Sequence, residues 1–343
     1  MSKKSKTPLG IFMESIGLYF SNFDKFFKYM TFPVLGQILG ITLVFLLTFF
    51  YTKNLPNILE KFSTIDNPST LFIILFLIVL PGLIIFMKAF WEYLVAYGAV
   101  NSMLENLLKS GKVYDFDAHT ELIKRRTVPF IGLWFLFSIY SAISIIPFFW
   151  IPAIVFAVFF ILIFQVFTYE PELTPIGCAK RSFALIKGHF ASTFLLLALV
   201  GALTYVFIPQ LLTMFCDYTH ITKLFINAIS PFVKELPIND LNSFFSSLYL
   251  PQITTNDISE FIIEVSIAQI FIQYTLPLRS ILWGMWYKEL NGGKLYISSE
   301  DKPKKTSKKK PSEKLMKSSN KKYSSKKIDR NILKRAMEKD DNE

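Results

Sequence analysis

TPIGCAKRSFALIKGHFASTFLLLALVGAL, residues 174–203, joins a short basic amphipathic segment directly to a long uncharged one. Thr174 carries a side-chain oxygen suited to an N-cap, and Pro175 fits the first helical position, where its missing N–H leaves no bond unmade. A helix should start there. On a 3.6-residue wheel Ile176, Ala179, Phe183 and Ile186 form one apolar stripe, with Lys180 and Lys187 along its edge and Arg181 further round. Gly188 then stops the helix. No residue in 190–216 is charged, a run longer than the roughly 20 residues that cross a hydrocarbon core. The reading is a basic elbow on the membrane surface feeding a spanning helix, which sets the fold class as an all-α, polytopic membrane protein.

Composition points the same way. The 343 residues are 52% hydrophobic and include 36 phenylalanines, more apolar surface than a soluble domain usually hides. The net charge of +11 is concentrated at the ends: residues 294–343 hold 17 Lys and Arg against 8 Asp and Glu, and residues 1–31 hold 5 against 2. Cys178 and Cys216 fall at opposite ends of one span, so no disulfide is expected. The first long apolar run begins near Phe32, too far in and too long for a signal peptide.

Six spans in three hairpins account for the rest. Residues 8–30 read as an interfacial helix and 32–51 as the first span; the second starts near Leu71, kinks at Pro81-Gly82 and continues past Lys88 to Lys109. Between Arg126 and Glu170 no residue is charged, and Pro147 and Pro152 divide that stretch into spans three and four. Span five is 190–216. The loop 217–256, with Phe225, Phe232, Phe244 and Phe245, should form short surface helices. Span six is 261–287, with Pro277 and Arg279 inside it. The domains are thus a cytoplasmic segment 1–31, a membrane domain 32–290 and a lysine-rich tail 291–343, disordered except for a short terminal helix. Lys and Arg in alternate connections number five, five, three and seventeen, against two, none and two in those between. That places both termini in the cytoplasm, at the plasma (cell) membrane.

An internal repeat accompanies this layout. A shift of 167 places Thr7, Pro8, Gly10, Ser15, Leu18, Phe23 and Phe27 on Thr174, Pro175, Gly177, Ser182, Leu185, Phe190 and Phe194. Leu9, Phe12, Ile16 and Tyr19 reproduce the apolar stripe. Residues 117–128, with Asp117 as cap and Lys124-Arg125-Arg126 before Pro129, occupy a third such place.

Lys180-Arg181-Ser182, Lys187-Gly188, aromatic Phe190 and the span that follows resemble the membrane-domain family of glycerophosphoryl diester phosphodiesterases. The likeness covers about 171–203, with support from Tyr287-Lys288-Glu289-Leu290. It implies a stand-alone helical membrane domain and carries over no catalytic residue.

Candidate sites are few. His119, His189 and His220 stand singly, without a ligand partner at metal spacing and without a following Arg. Phosphate loops and nucleophile motifs are missing, so the chain reads as a non-enzyme without cofactor. Lys88, Lys124, Arg125, Arg126, Lys180, Arg181, Lys187 and Arg279 form the candidate lipid-headgroup set, a cytoplasmic rim for anionic lipid in which Arg181 and Arg279 should matter more than the lysines, because arginine can bind a phosphate bidentately. Snorkelling of Lys88 and Arg279 to the headgroups is the simpler account of those two. The tail would add attraction for anionic lipid, and to a lesser degree for RNA. The functional expectation is a structural or accessory membrane protein that binds lipid or anchors a membrane-protein partner. The alternative is a transporter or channel for a small solute, with Gln37, Gln165, Gln269 and Gln273 lining its path. A cytoplasm-active reporter at Gly111 or after Lys294 should be active and one near Asn239 silent; activity at Asn239 overturns the six-span layout.

Overall fold

The computed structural model describes residues 6–61 and 67–296; the greater part of the tail, with its expected terminal helix, lies outside them. Thr7 and Thr174 begin the two matching helices in the same way. The Thr7 hydroxyl oxygen accepts from the Gly10 N–H at 3.2 Å, opening α1 (Pro8–Ser21), and Thr174 accepts from the Gly177 N–H at 3.2 Å, opening α8 (Pro175–Ile186). Each cap satisfies one of the orphan donors of a first turn.

The next helices also start in register, α2 (Phe23–Lys61) at Phe23 and α9 (Phe190–Gly201) at Phe190, 167 positions apart. Ile11, Ser15 and Tyr19 are buried on α1, as are Cys178, Ser182 and Ile186 at the shifted positions of α8. The repeat therefore extends from sequence to burial.

Three expectations need correction. The boundary drawn at residue 31 falls inside α2, because the break lies at Asn22 and the helix runs on through Pro33. The third elbow, α4 (Phe116–Lys124), is capped by Asp115 rather than Asp117: Asp115, at φ 47°, accepts from the Ala118 N–H at 3.0 Å. A cap must sit outside the helix to reach back to its third residue, and Asp117 is already in the first turn. Finally, the expected stripe of α8 is split: Ile186 turns inward with Cys178, Ser182 and Leu185, while Ile176 and Phe183 stay on the outward, exposed face.

The remaining α-helices are α3 (Pro68–Ser110), unbroken at Pro81, α5 (Thr127–Ser144), α6 (Trp150–Phe160), α7 (Ile163–Tyr169), α10 (Ile208–Tyr218), α11 (Ile221–Val233), α12 (Ile238–Ser247), α13 (Thr255–Tyr274) and α14 (Leu276–Leu290). Helices α11 and α12 supply the short helices expected in 217–256. A π-helical turn at Ala202–Phe207 joins α9 to α10. No strand occurs among the described residues. Five helical segments are long and apolar enough to cross a membrane, or six if α13 and α14, bent by 40°, count as one. Phe72, Phe135, Phe148, Ile151 and Met214 are among the many large apolar side chains left exposed, as hydrocarbon rather than water would require. The chain is a multi-pass helical membrane protein.

It divides into two compact units. One comprises residues 1–21, 98–194 and 280–343 and so holds all three capped amphipathic helices; its described core centres on Phe130, packed against Trp134, Phe164 and Phe167. Within it His119 is buried, its Nδ1 2.7 Å from the Ser102 hydroxyl, and burial pulls the imidazole down to about 4, so it is neutral at neutral pH.

The other unit comprises residues 22–97 and 195–279. Within it α2 and α3 approach closely, running antiparallel. Gly36 faces Ala89, Gly40 faces the backbone of Phe86, and Gly82 faces the Gly40 carbonyl and Val44. Gly36-x-x-x-Gly40 is the small-residue spacing that lets membrane helices approach closely. A Cβ on Gly40 would lie 2.5 Å from the Phe86 backbone nitrogen. Backbone cannot swing aside as a side chain does. Gly40→Ala should cost about 1–3 kcal/mol and lower the thermal unfolding midpoint of the detergent-purified protein. Gly17→Ala, where nothing lies within 4 Å, should not; equal midpoints for the two variants refute the contact.

Candidate functional site

The sequence from Phe167 to Thr174 must turn the chain out of α7 and into α8, which exposes the last carbonyls of α7. Two arginines tie this turn down. Arg126, at the start of α5, donates to the carbonyl oxygens of Phe167 (2.7 Å) and Pro171 (3.2 Å), with its guanidinium 3.9 Å from the centre of the Phe167 ring. Arg181, on α8, donates through Nε to Glu170 at 2.9 Å and through Nη2 to the Asn291 side-chain oxygen at 2.9 Å. The Tyr287 hydroxyl donates to the same Glu170 oxygen at 3.0 Å. The Glu170 side chain is 13% exposed, so its pairing lies well out of solvent. The stretch around 171–203 and the end carrying Tyr287, read separately in the sequence, therefore meet at Glu170. Beside them Cys178 is buried, which pushes its thiol up to about 11 and keeps it protonated.

A second polar cluster in this unit had no signal in the sequence. The Asn101 side-chain oxygen accepts from Ser280 at 2.6 Å and from Gln165 at 3.2 Å, and the Asn101 backbone carbonyl accepts from the Tyr169 hydroxyl. Tyr169 stacks on Tyr287, 5.1 Å between ring centres, so the two clusters share a wall. Gly284 makes room for it, since a Cβ there would meet Leu104 at 2.4 Å and the Tyr169 hydroxyl at 3.1 Å. The Asn101 side-chain nitrogen is buried without a partner.

Arg279 lies in the other unit and bonds protein groups. It donates to the Tyr205 hydroxyl and, at 3.1 Å, to the carbonyl of Ile272, with a further hydrogen bond to Tyr93. Ile272 belongs to the last turn of α13, just before Thr275 and Pro277 interrupt the helix. A cation at such an end is favoured both by the exposed carbonyl and by the helix dipole. Tyr205 comes from the π-helical turn that precedes Pro209. Two irregular helix segments thus meet through one guanidinium.

The residues of the expected rim are put to different uses. Arg126, Arg181 and Arg279 spend their guanidinium forks on protein groups, which corrects the expectation that they offer bidentate sites to phosphate. Lys88, Lys124, Arg125, Lys180 and Lys187 remain exposed; Lys88 lies over the Phe32 ring at 5.6 Å, and Arg125 pairs with Glu121 on its own helix at 2.6 Å. Lys88 and Arg279 belong to one unit and the others to the second. Of the four glutamines, Gln37 donates to Gln273 at 3.3 Å, Gln165 donates to Asn101 at 3.2 Å, and Gln269 is exposed on α13. Among the described residues no group of three or more His, Cys, Asp and Glu is placed to hold a metal.

Compared with known proteins, the chain matches no family model, no curated protein and no solved structure. The likeness to the phosphodiesterase membrane domain therefore stands on its residues alone.

Arg181 and Glu170 should behave as a coupled pair. Glu170→Ala strands a half-buried guanidinium and should destabilise by about 2–3 kcal/mol, whereas adding Arg181→Ala should recover part of that loss. Thermal unfolding of the two single variants and the double variant checks this, and strictly additive losses refute the coupling.

Proposed function

We propose that this chain is a structural or accessory protein of the plasma membrane that holds anionic lipid, or anchors a membrane-protein partner, at its cytoplasmic face. In this reading it crosses six times in three hairpins, with α13 and α14 as one bent span and both termini cytoplasmic. The resemblance to the phosphodiesterase membrane domain belongs to the same proposal, as does the absence of catalysis.

One observation carries it. Helices α1 and α8 bury one face in matching register and leave large apolar side chains on the other: Leu9, Met13 and Phe20 on α1, and Ile176 and Phe183 on α8. A helix with a second apolar face and cations beside it suits the boundary between headgroups and acyl chains. Helix α4 differs, since Asp117, Glu121, Lys124 and Arg125 make its outward face polar. It would stand in the headgroup layer and offer charge. The polybasic tail would add to the same attraction.

Transport is the second reading, and it draws on the meeting of the π-helical turn and the broken α13–α14 helix at Arg279, since interrupted helices line binding sites in many carriers. The use of Gln165 by Asn101 and the exposure of Gln269 favour the first.

Replacing Lys124, Arg125, Lys180 and Lys187 together by Gln tests the accessory reading. These side chains are exposed, so folding should survive, since an exposed pair such as Arg125 with Glu121 contributes little. Anionic phospholipid copurified in mild detergent should fall, by about 1 kcal/mol of attraction for each charge that faced the surface. Unchanged anionic lipid, measured by mass spectrometry, defeats the proposal.

A further inference from the structure

Helix α12 stops on a residue that seldom stops one. The Leu250 N–H donates to the Phe245 carbonyl at 2.9 Å and the Tyr249 N–H to that of Ser246 at 3.2 Å, the paired bonds of a Schellman motif. The left-handed position of that motif is ordinarily glycine, and here it is Tyr249, at φ 57°. Packing within the fold does not offset the strain, because Tyr249 is 98% exposed. Leu248 and Leu250 on either side of it are exposed as well, as is Phe244 in the last turn of α12. This apolar knob is held in place. Asn242 bonds both backbone groups of Ile253: its Oδ1 accepts from the N–H at 2.8 Å and its Nδ2 donates to the carbonyl at 2.9 Å. Thr254 and Asp257 then close a capping box that starts α13. A loop pinned to α12 and leading straight into α13 keeps a set height relative to that helix.

We propose that Leu248, Tyr249 and Leu250 form an anchor that seats this end of α13 in the lipid surface, with the phenol ring in the headgroup layer. The inference rests on the reading of α13 and α14 as one bent span. Asp257 and Glu260 keep the first turns of α13 polar, and its large exposed apolar side chains begin at Phe261, about 9 Å along the axis from Thr255. The headgroup layer on one side of a bilayer is about 5–8 Å deep. If hydrocarbon starts near Phe261, the loop at the head of α13 stands at the level of the headgroups. Tyrosine suits that level, since its ring is apolar and its hydroxyl takes water or a headgroup oxygen. Residues 241–256 carry no charge, which fits a neutral lipid layer better than a charged partner. Contact with lipid gives the ring the partner that the fold does not.

The test attaches a fluorescent maleimide to full-length Leu248→Cys protein; Cys178 and Cys216 are buried, so the label reports on the knob. The protein is reconstituted in phosphatidylcholine vesicles, with iodide on both sides or nitroxide-bearing lipid as quencher. Labels on Asn239→Cys and Phe261→Cys, at exposed positions, serve as the water and hydrocarbon references. The 248 label should emit to the blue of the 239 label, lose most of the iodide quenching seen there, and be quenched best by a nitroxide near the headgroup. Adding Tyr249→Gly should move the 248 label back toward water without lowering the thermal unfolding midpoint in detergent, since glycine fits φ 57°. Iodide quenching of the 248 label equal to that at 239 overturns the anchor, and so does shielding from both quenchers, which means a protein cover. A label unmoved by Tyr249→Gly, or a lowered midpoint, assigns the ring a purely structural role and overturns it too. The 261 label separates the two claims: lipid quenching there beside a water-exposed 248 label defeats the anchor alone, whereas iodide quenching at both defeats the span reading with it.

Discussion

The last carbonyls of a helix have no partner within it, and this chain answers that constraint with arginine. Arg126 donates to Phe167 and Pro171 where α7 ends, and Arg279 donates to Ile272 where α13 breaks. A buried carbonyl left without a partner costs about 1–3 kcal/mol. Guanidinium is suited to the task because it has several donors in a fixed plane and stays charged. The aromatic rings of Phe167 and Tyr205 lie against these cations and take part of the role that solvent would play. The side chains that look most like ligand sites in the sequence are thereby the ones that hold the backbone together.

Helix starts are met by a different and repeated device. Thr7, Asp115 and Thr174 each return a side-chain oxygen to the third N–H of the helix that follows. From each cap the buried positions fall four and eight residues on: Ile11 and Ser15, His119 and Ile123, Cys178 and Ser182. The shared frame fits descent of α1 and α8 from one unit, with the turn into the next helix kept at Phe23 and Phe190. What differs is the outward face. It stays apolar on α1 and α8 and becomes charged on α4, so one scaffold presents two kinds of surface.

Close approach depends on small residues in both units, at Gly36, Gly40 and Gly82 in one and at Gly284 in the other. In hydrocarbon the apolar side chains gain little by leaving lipid, so packing distance decides which helices stay together. The Gly36-x-x-x-Gly40 spacing is a local pattern, but nothing local identifies its partner on α3. Ala89 and Phe86 are ordinary residues of a long apolar helix.

The sequence by itself determined the class of fold, the amphipathic helix 175–186 with its Thr174 cap, the apolar stretches and the 167-residue repeat, because hydropathy, periodicity and capping act over neighbouring residues. It misplaced the boundary at 31 and the cap at Asp117, since Pro33 and Asp115 are read correctly only with the surrounding backbone in place. Tertiary structure alone decided the use of each charge: Arg181 belongs to Glu170, eleven positions back, and to Asn291, far along the chain. It also assembled Asn101, Gln165, Tyr169 and Ser280 from separate helices. No local pattern distinguishes an arginine that meets lipid from one that meets a carbonyl, because the difference lies in which chain ends the fold brings within hydrogen-bonding distance.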